Sequence, residues 1–348
     1  MFFASDNAGP VHPKIMQALT EANQGYAMPY GNDALTAQVR DQIRTLFQAP
    51  QAEVHLVTTG TAANSLALAT YCQPWQTVFC ATHAHIHEDE CNAPEFYMGG
   101  AKLTLVPTDD KMTADALRTS IEGEETRGLH GPQRGPISVT TVTERGAVYS
   151  LTELAALTAV ARDYKLPVHL DGARLANAIA ALGCSPAEMT WQSGVDILSF
   201  GGTKNGCMGV EAVVLFDPTK SWELELRRKR AAHLMSKHRY LSAQMNAYLT
   251  DNLWLQTARA ANTNCSRLAK GLGDLPNVTI SNKPQANIIF ADMSRATHQR
   301  LHAAGAEYYV LAGDHTKGAP DEMLPARLVC DWSITAAQID RFLSLAKG

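Results

Sequence analysis

The 348-residue sequence has no Cys-x-x-Cys pair and no regular cysteine framework. Its seven cysteines are scattered, which suits a reducing compartment rather than a disulfide scaffold. Residues 1–30 hold no basic segment followed by an apolar run, so no signal peptide is expected. No apolar stretch approaches the roughly 20 residues needed to cross a bilayer. A cytoplasmic location, with no membrane partner, is the expectation. Positive charge is not in excess: the formal net charge is −4, which gives no reason to expect nucleic acid. Neither G-x-G-x-x-G nor a Walker pattern occurs, so dinucleotide and ATP sites are not expected. Repeats and low-complexity segments are absent too.

What is present suits an enzyme with a sizeable core. The length fits one large domain and a smaller one. Short apolar runs recur near 54–58, 77–81, 103–106, 137–142, 167–170, 195–200 and 211–216. Helical spacing fills several of the gaps, at about 62–72, 113–122, 151–164 and 174–182. This alternation predicts an α/β fold with a mostly parallel seven-stranded sheet covered by helices on both faces. Two further helices are predicted before it, at about 13–23 and 33–47, the second capped by Asp33. Residues 220–272 read as long and helical, with Arg and Lys crowded at 227–239. A small C-terminal α+β unit follows, with strands near 278–281, 286–292, 307–311 and 326–331. The expected division is 1–248, including the N-terminal segment, and 249–348.

Two strand ends carry the chemistry. The run Ile197-Leu198-Ser199-Phe200 passes through Gly201 and Gly202 to Thr203 and Lys204. Lysine is seldom buried unless paired. One reason to place it there is an amine that forms a Schiff base. The other reading is a solvent-facing lysine in a loop. Upstream, Val168-His169-Leu170 ends on Asp171. Ligand sites in open α/β sheets lie at the carboxyl ends of strands. An Asp and a Lys there suit pyridoxal phosphate, the lysine holding the cofactor and the aspartate keeping its ring nitrogen protonated.

Other stretches leave alternatives open. Thr59-Gly60-Thr61 opens a helix, either as an anion site or as an ordinary cap. His83, His85 and His87, next to Glu88, Asp89 and Glu90, suit a metal, a ring-stacking imidazole or a plain polar loop. Arg174 and Arg327 are candidates to grip a carboxylate, or to form structural ion pairs. The basic run ending at Arg239 reads as a solvated helix face or as a subunit interface.

Taken in order, Ser5-Asp6-Asn7, Tyr30-Gly31-Asn32-Asp33, Thr59 to Asn64, His83-Ala84-His85, Glu144, Asp171-Gly172-Ala173-Arg174, Lys204 and Arg327 resemble the threonine aldolase family. That family belongs to the aspartate-aminotransferase-like, fold type I, pyridoxal phosphate enzymes. The resemblance spans nearly the whole chain and implies a lyase cleaving L-β-hydroxy-α-amino acids to glycine and an aldehyde. It implies that Lys204 holds the cofactor, Asp171 pairs with the ring nitrogen, and His85 stacks on the ring in place of any metal role. Gly60 and Thr61 would hold the phosphate, with Arg239 of a second subunit. Ser5, Arg174 and Arg327 would hold the substrate carboxylate. Tyr30 would border the site across a dimer, and Glu144 would sit near the ring substituents. For the base at the β-hydroxyl, His85, His87, His130 and a water on Glu90 are candidates. A homo-oligomer, dimer or tetramer, with shared sites is implied.

The chain also departs from the family. Gly202-Thr203-Lys204-Asn205-Gly206 replaces a Ser-Lys-Gly segment, Glu144-Arg145-Gly146 replaces Glu-Asn-Thr, and a family lysine falls at Ala232. Alternatives on the same residues are an aldolase preferring a bulkier substrate such as phenylserine, another pyridoxal phosphate reaction such as β-elimination or transamination, and a cofactor-binding interaction module without turnover.

Overall fold

Strands buried on both faces read as near-continuous apolar runs, and the central strands of the large sheet do. The computed structural model, which describes all of residues 1–348, has seven strands there: β1 (Glu53–Val57), β2 (Gln76–Ala81), β3 (Lys102–Val106), β4 (Gln133–Thr140), β5 (Val168–Gly172), β6 (Ile197–Gly201) and β7 (Glu211–Leu215). Every residue of β5, β6 and β7 is buried. The strand order is β1-β7-β6-β5-β4-β2-β3. Only β7 runs against its neighbours, pairing antiparallel with both β1 and β6. The carboxyl ends of β1, β2, β4, β5 and β6 therefore share one edge of the sheet.

The helices begin where the side chains allow it. In chain order they are α1 (Pro13–Ala22), α2 (Ala34–Leu46), α3 (Gly60–Tyr71), α4 (His85–Glu88), α5 (Ala93–Tyr97), α6 (Ala114–Gly123), α7 (Leu151–Asp163) and α8 (Leu175–Leu182). Asp33 caps α2, accepting the Thr36 N–H at 2.9 Å. Ser150 and Glu153 close a capping box on α7, satisfying two N–H groups at once.

The stretch 220–272 is three helices rather than one: α9 (Ser221–Arg230), α10 (Arg239–Leu249) and α11 (Leu253–Gly273). Left-handed backbone at Ala232, Asp251 and Asn252 ends the first two runs. The C-terminal unit has β8 (Val278–Ile280), β9 (Ile288–Ser294), α12 (Arg295–Ala303), β10 (Tyr309–Val310), β11 (Met323–Val329) and α13 (Ala336–Lys347). Its four strands form an antiparallel sheet, β10-β11-β9-β8.

The packing divides the chain differently from the expected 248/249 boundary. Trp254 and Ala258 of α11 belong to the large core, whereas Cys265, Leu268 and Leu272 of the same helix belong to the small one. The division thus falls within α11. Phe3 is fully buried in the small core, not the large one. Its N–H donates to Glu307 O at 2.7 Å, and its carbonyl accepts from Val329 N at 2.7 Å. No helix is long and apolar enough to cross a membrane.

Candidate active site

The site forms where the shared sheet edge meets the small unit. A cavity of about 520 Å³ there is lined by Ser5, His85, Glu144, Arg174, Lys204 and Arg327, six of the residues singled out in the sequence. A larger cleft of about 710 Å³, lined by Arg162, Trp191 and Asp196, opens at the amino ends of β5 and β6, away from this chemistry.

Lys204 follows β6 in a tight turn, Thr203–Asn205. Gly206 closes it with φ of +110°, a conformation open to glycine. A fully buried acid, Glu211 at the start of β7, accepts the Gly202 N–H at 2.7 Å. Burial pushes its carboxyl up to about 7, against the hydrogen bonds from Thr203 and Gly202.

Asp171 ends β5 opposite Ser199 of β6 and is 2% exposed. It accepts the Ala173 N–H at 3.1 Å and an N–H of Asn64 at 3.0 Å. The same Asn64 nitrogen donates to Glu90 at 2.9 Å, and Glu90 meets Nδ1 of His85 at 2.8 Å. The Glu90 hydrogen bond raises the His85 pKa above its ordinary value, against burial. Two residues before Asp171, His169 sits between the hydroxyls of Ser138 and Ser199, each 3.0 Å away. Burial lowers its pKa to about 4, so it is neutral.

The arginines differ from the expectation. Arg174 does not offer a free bidentate fork: Nε and Nη2 donate to the two oxygens of Asp6 at 2.7 and 3.0 Å. Asn287 donates to the same carboxylate at 3.0 Å. Burial pushes the Asp6 carboxyl up, but Arg174 outweighs it and the net pKa is lowered. Only the Nη1 side of Arg174 remains toward the cavity. There Glu144 lies 3.9 Å from Arg174 and 3.9 Å from Arg327. Burial and the charge of Arg174 lower the Arg327 pKa, so an anion between the two guanidiniums is favoured.

The start of α3 lies at the same sheet edge. Thr59 takes the Ala62 N–H at 3.1 Å, while the N–H groups of Gly60 and Thr61 meet no acceptor in the chain. Free N–H groups at a helix start suit a phosphate. With an amine at a strand end, a buried acid on the adjacent strand and an imidazole opposite, the donor set fits pyridoxal phosphate. The buried oxygens Asn64 Oδ1 and Glu90 Oε2, which have no partner in the chain, show a polar floor rather than a packed core.

Of the expected residues, Gly60, Thr61 and Asp171 stand at the same sheet edge without lining this cavity, and His87, His130, Tyr30 and Arg239 do not line it either. His87 is exposed on α4. His130 precedes β4, at the amino edge of the sheet, and β4 is about 26 Å long. Tyr30 packs its ring 5.1 Å from the Lys229 ammonium, and Arg239 donates to Gly25 O at 3.0 Å. Neither Tyr30 nor Arg239 lines this chain's own cavity. His83 lines the cavity, but both its nitrogens are taken, by Glu88 and by Arg145, at 2.9 Å each. No three His, Cys, Asp or Glu side chains converge as a metal-ligand set.

The sequence did not single out Asp6, Asn64, Asn287 or Glu211 for the site. Only the place of Asp6 and Asn64 within named motifs was a signal.

A sequence model of the family described as beta-eliminating lyase matches residues 3–296. The chain is 39% identical over 346 residues to a low specificity L-threonine aldolase of Pseudomonas aeruginosa, covering 99% of this chain and 96% of that one. The chain belongs to the threonine aldolase family. A second member, from a Pseudomonas species, is 38% identical over 97% of this chain and 94% of its own. The solved threonine aldolase of Leishmania major superposes with a TM-score of 0.91 at 24% identity, covering 99% of this chain and 98% of that chain. That likeness shows the fold type I architecture.

Proposed function

We propose that this chain cleaves L-β-hydroxy-α-amino acids, of the L-threonine and L-allo-threonine type, to glycine and an aldehyde. The observation that carries the reading is one cavity holding Lys204, His85, Arg174 and Arg327, with Asp171 tied to His85 through Asn64 and Glu90. The near full-length match to threonine aldolases supports it. Lys204 would hold pyridoxal phosphate through its amine, Asp171 its ring nitrogen, His85 its face, and Gly60 and Thr61 its phosphate. When bound, the cofactor supplies a protonated ring that takes up the electron pair released as Cα–Cβ breaks.

The chain's own residues do the rest. Arg327, Ser5 and the free side of Arg174 bind the substrate carboxylate, displacing Glu144 from between the guanidiniums. Anchoring it there orients the Cα–Cβ bond. His85 takes the β-hydroxyl proton on Nε2, because its Nδ1 is committed to Glu90. Glu90 makes that imidazole a stronger base. The aldehyde leaves, and a proton returned to Cα gives glycine.

The active form is a homo-oligomer, dimer or tetramer, in which Tyr30 and Arg239 complete the neighbour's site. The exposed side chains of Tyr26, Met28 and Tyr30 support this. The seven free cysteines support a cytoplasmic location. Phenylserine is a second substrate, favoured by the cross-strand row Tyr309–Arg327–Phe290, in which aromatic side chains flank the carboxylate anchor.

A substrate panel read by aldehyde release tests the reaction. Borohydride reduction of the holoenzyme followed by peptide mapping tests the site, and the label is expected on Lys204. Lys204→Ala is expected to lose both label and turnover. A label on another lysine overturns the assignment, and release of ammonia without aldehyde overturns the reaction.

A further inference from the structure

Asn64 sits one turn into α3 and is 2% exposed. Its Nδ2 donates to Glu90 Oε1 at 2.9 Å and to Asp171 Oδ2 at 3.0 Å. The orientation of the amide is forced. The reverse would set Oδ1 against two carboxylate oxygens, with no proton between them. Each of the two Nδ2 hydrogens thus serves one acid. The Glu90 side chain is 0% exposed, and its one charged partner is His85. We propose that Asn64 is a positioning residue: its one amide nitrogen holds Glu90 and Asp171 apart as separate carboxylates, and through Glu90 fixes the proton on His85.

The physical argument is one of like charges. Two buried carboxylate oxygens that converge on one point repel each other unless donors stand between them. The amide hydrogens of Asn64 are those donors. Without them Glu90 is free to swing away from Asp171, and its Oε1 leaves the line to His85 Nδ1. His85 then loses its aligned acceptor. The other charges facing His85 are Lys204, Asp171 and Glu144, and a change at Asn64 leaves all three in place. The network also keeps Asn64 Oδ1 and Glu90 Oε2 buried without partners. That is a cost an apolar residue at position 64 would partly avoid. Gly60 and Thr61 lie one helical turn before Asn64. One rigid helix therefore registers the phosphate end of the site against its ring end.

This inference rests on the cofactor reading of the site, but its test does not need the cofactor. The full-length protein, stripped of cofactor and labelled with ¹⁵N-histidine, is titrated by NMR, with His85 assigned by its loss in His85→Asn. Glu90→Gln sets the full effect of losing the anion. Asn64→Leu is expected to lower the proton affinity of His85 about tenfold, one pH unit. Asn64→Ser, which keeps one donor, is expected to fall between Leu and wild type, and decides the matter if Asn64→Leu does not fold. If Glu90→Gln shifts His85 while the folded Asn64 variants titrate like wild type, Asn64 only fills space and the proposal is overturned. It is overturned equally if Glu90→Gln leaves His85 unmoved. Failure of wild-type Lys204 to take the borohydride label would instead sink the cofactor reading, whatever His85 does.

Discussion

Arg174 spends Nε and Nη2 on Asp6, so a substrate carboxylate bound there would meet a guanidinium already fixed in place. Asp6→Asn keeps one acceptor but loses the charge. Removing one partner of a buried pair costs roughly 3–5 kcal/mol. The variant is therefore expected to melt well below wild type and to raise KM for threonine about tenfold or more, measured by aldehyde release. An unchanged KM would mean that Arg174 does not touch substrate. Arg327 is the freer arginine. A charge-assisted bond is worth roughly 1.5–3 kcal/mol, so Arg327→Lys is expected to lower kcat/KM by about ten- to a hundredfold. It should also let Cα–H exchange compete with Cα–Cβ cleavage. Solvent-deuterium exchange and aldehyde release, followed together, check this; equal losses in both would show that Arg327 binds without steering. The strand-end placing of Lys204 and Asp171 was legible because each ends its own apolar run. Asp6 and Asn64 were not, because their partners lie 168 and 107 residues away and no local pattern reports such a distance.

Among the elements, the turn that carries Lys204 is clasped from β7. Glu211 is fully buried and its carboxyl is raised to about 7 from 4.5. A raised acid is stabilising to the fold when protonated, so its contribution is fully present below pH 4.5 and is lost as pH rises through 7. The difference is on the order of 3 kcal/mol. Glu211→Gln removes the titration, so its melting temperature relative to wild type is expected to rise between pH 5 and pH 8. A parallel offset at both pH values would refute a titrating clasp. The elements themselves were legible where apolar periodicity and caps agreed, as at Asp33 and α2. The long helix expected at 220–272 was broken by backbone. Asp251 and Asn252, residues that tolerate left-handed φ, were a readable stop, whereas Ala232 gave no such sign.

For the whole molecule, buried histidines oppose that acid. His169 and His238 are both lowered from 6.5 to about 4, mainly by burial. A lowered histidine destabilises the fold as pH falls from 6.5 toward 4, because the unfolded chain takes the proton. Between pH 4.5 and 6.5 the unfolded state holds two more protons on these histidines and one fewer on Glu211. The net of these three groups is one proton, or about 1.4 kcal/mol per pH unit, and His55 and His298, also lowered by burial, act in the same direction. Stability is expected to climb over that range and peak near pH 6.5, read from thermal unfolding at several pH values. A flat profile would show these groups to be hydrated. The seven-stranded sheet was legible at this scale because alternating strand and helix patterns leave few topologies. The division between the two units was not, since α11 carries one apolar face across both cores.

Residues 1–6 find their places only against segments from the far end of the sequence. Phe3 waits for Glu307 and Val329, and Asp6 for Asn287. A growing chain can build its large sheet early, yet Arg174 stays without the full anchor of its counter-ion until Asn287 of the small unit has been made. Chemistry at this site therefore waits for the small unit. An extension fused ahead of Met1, whose ammonium donates to Gly305 O at 2.9 Å, would press on that same late joint.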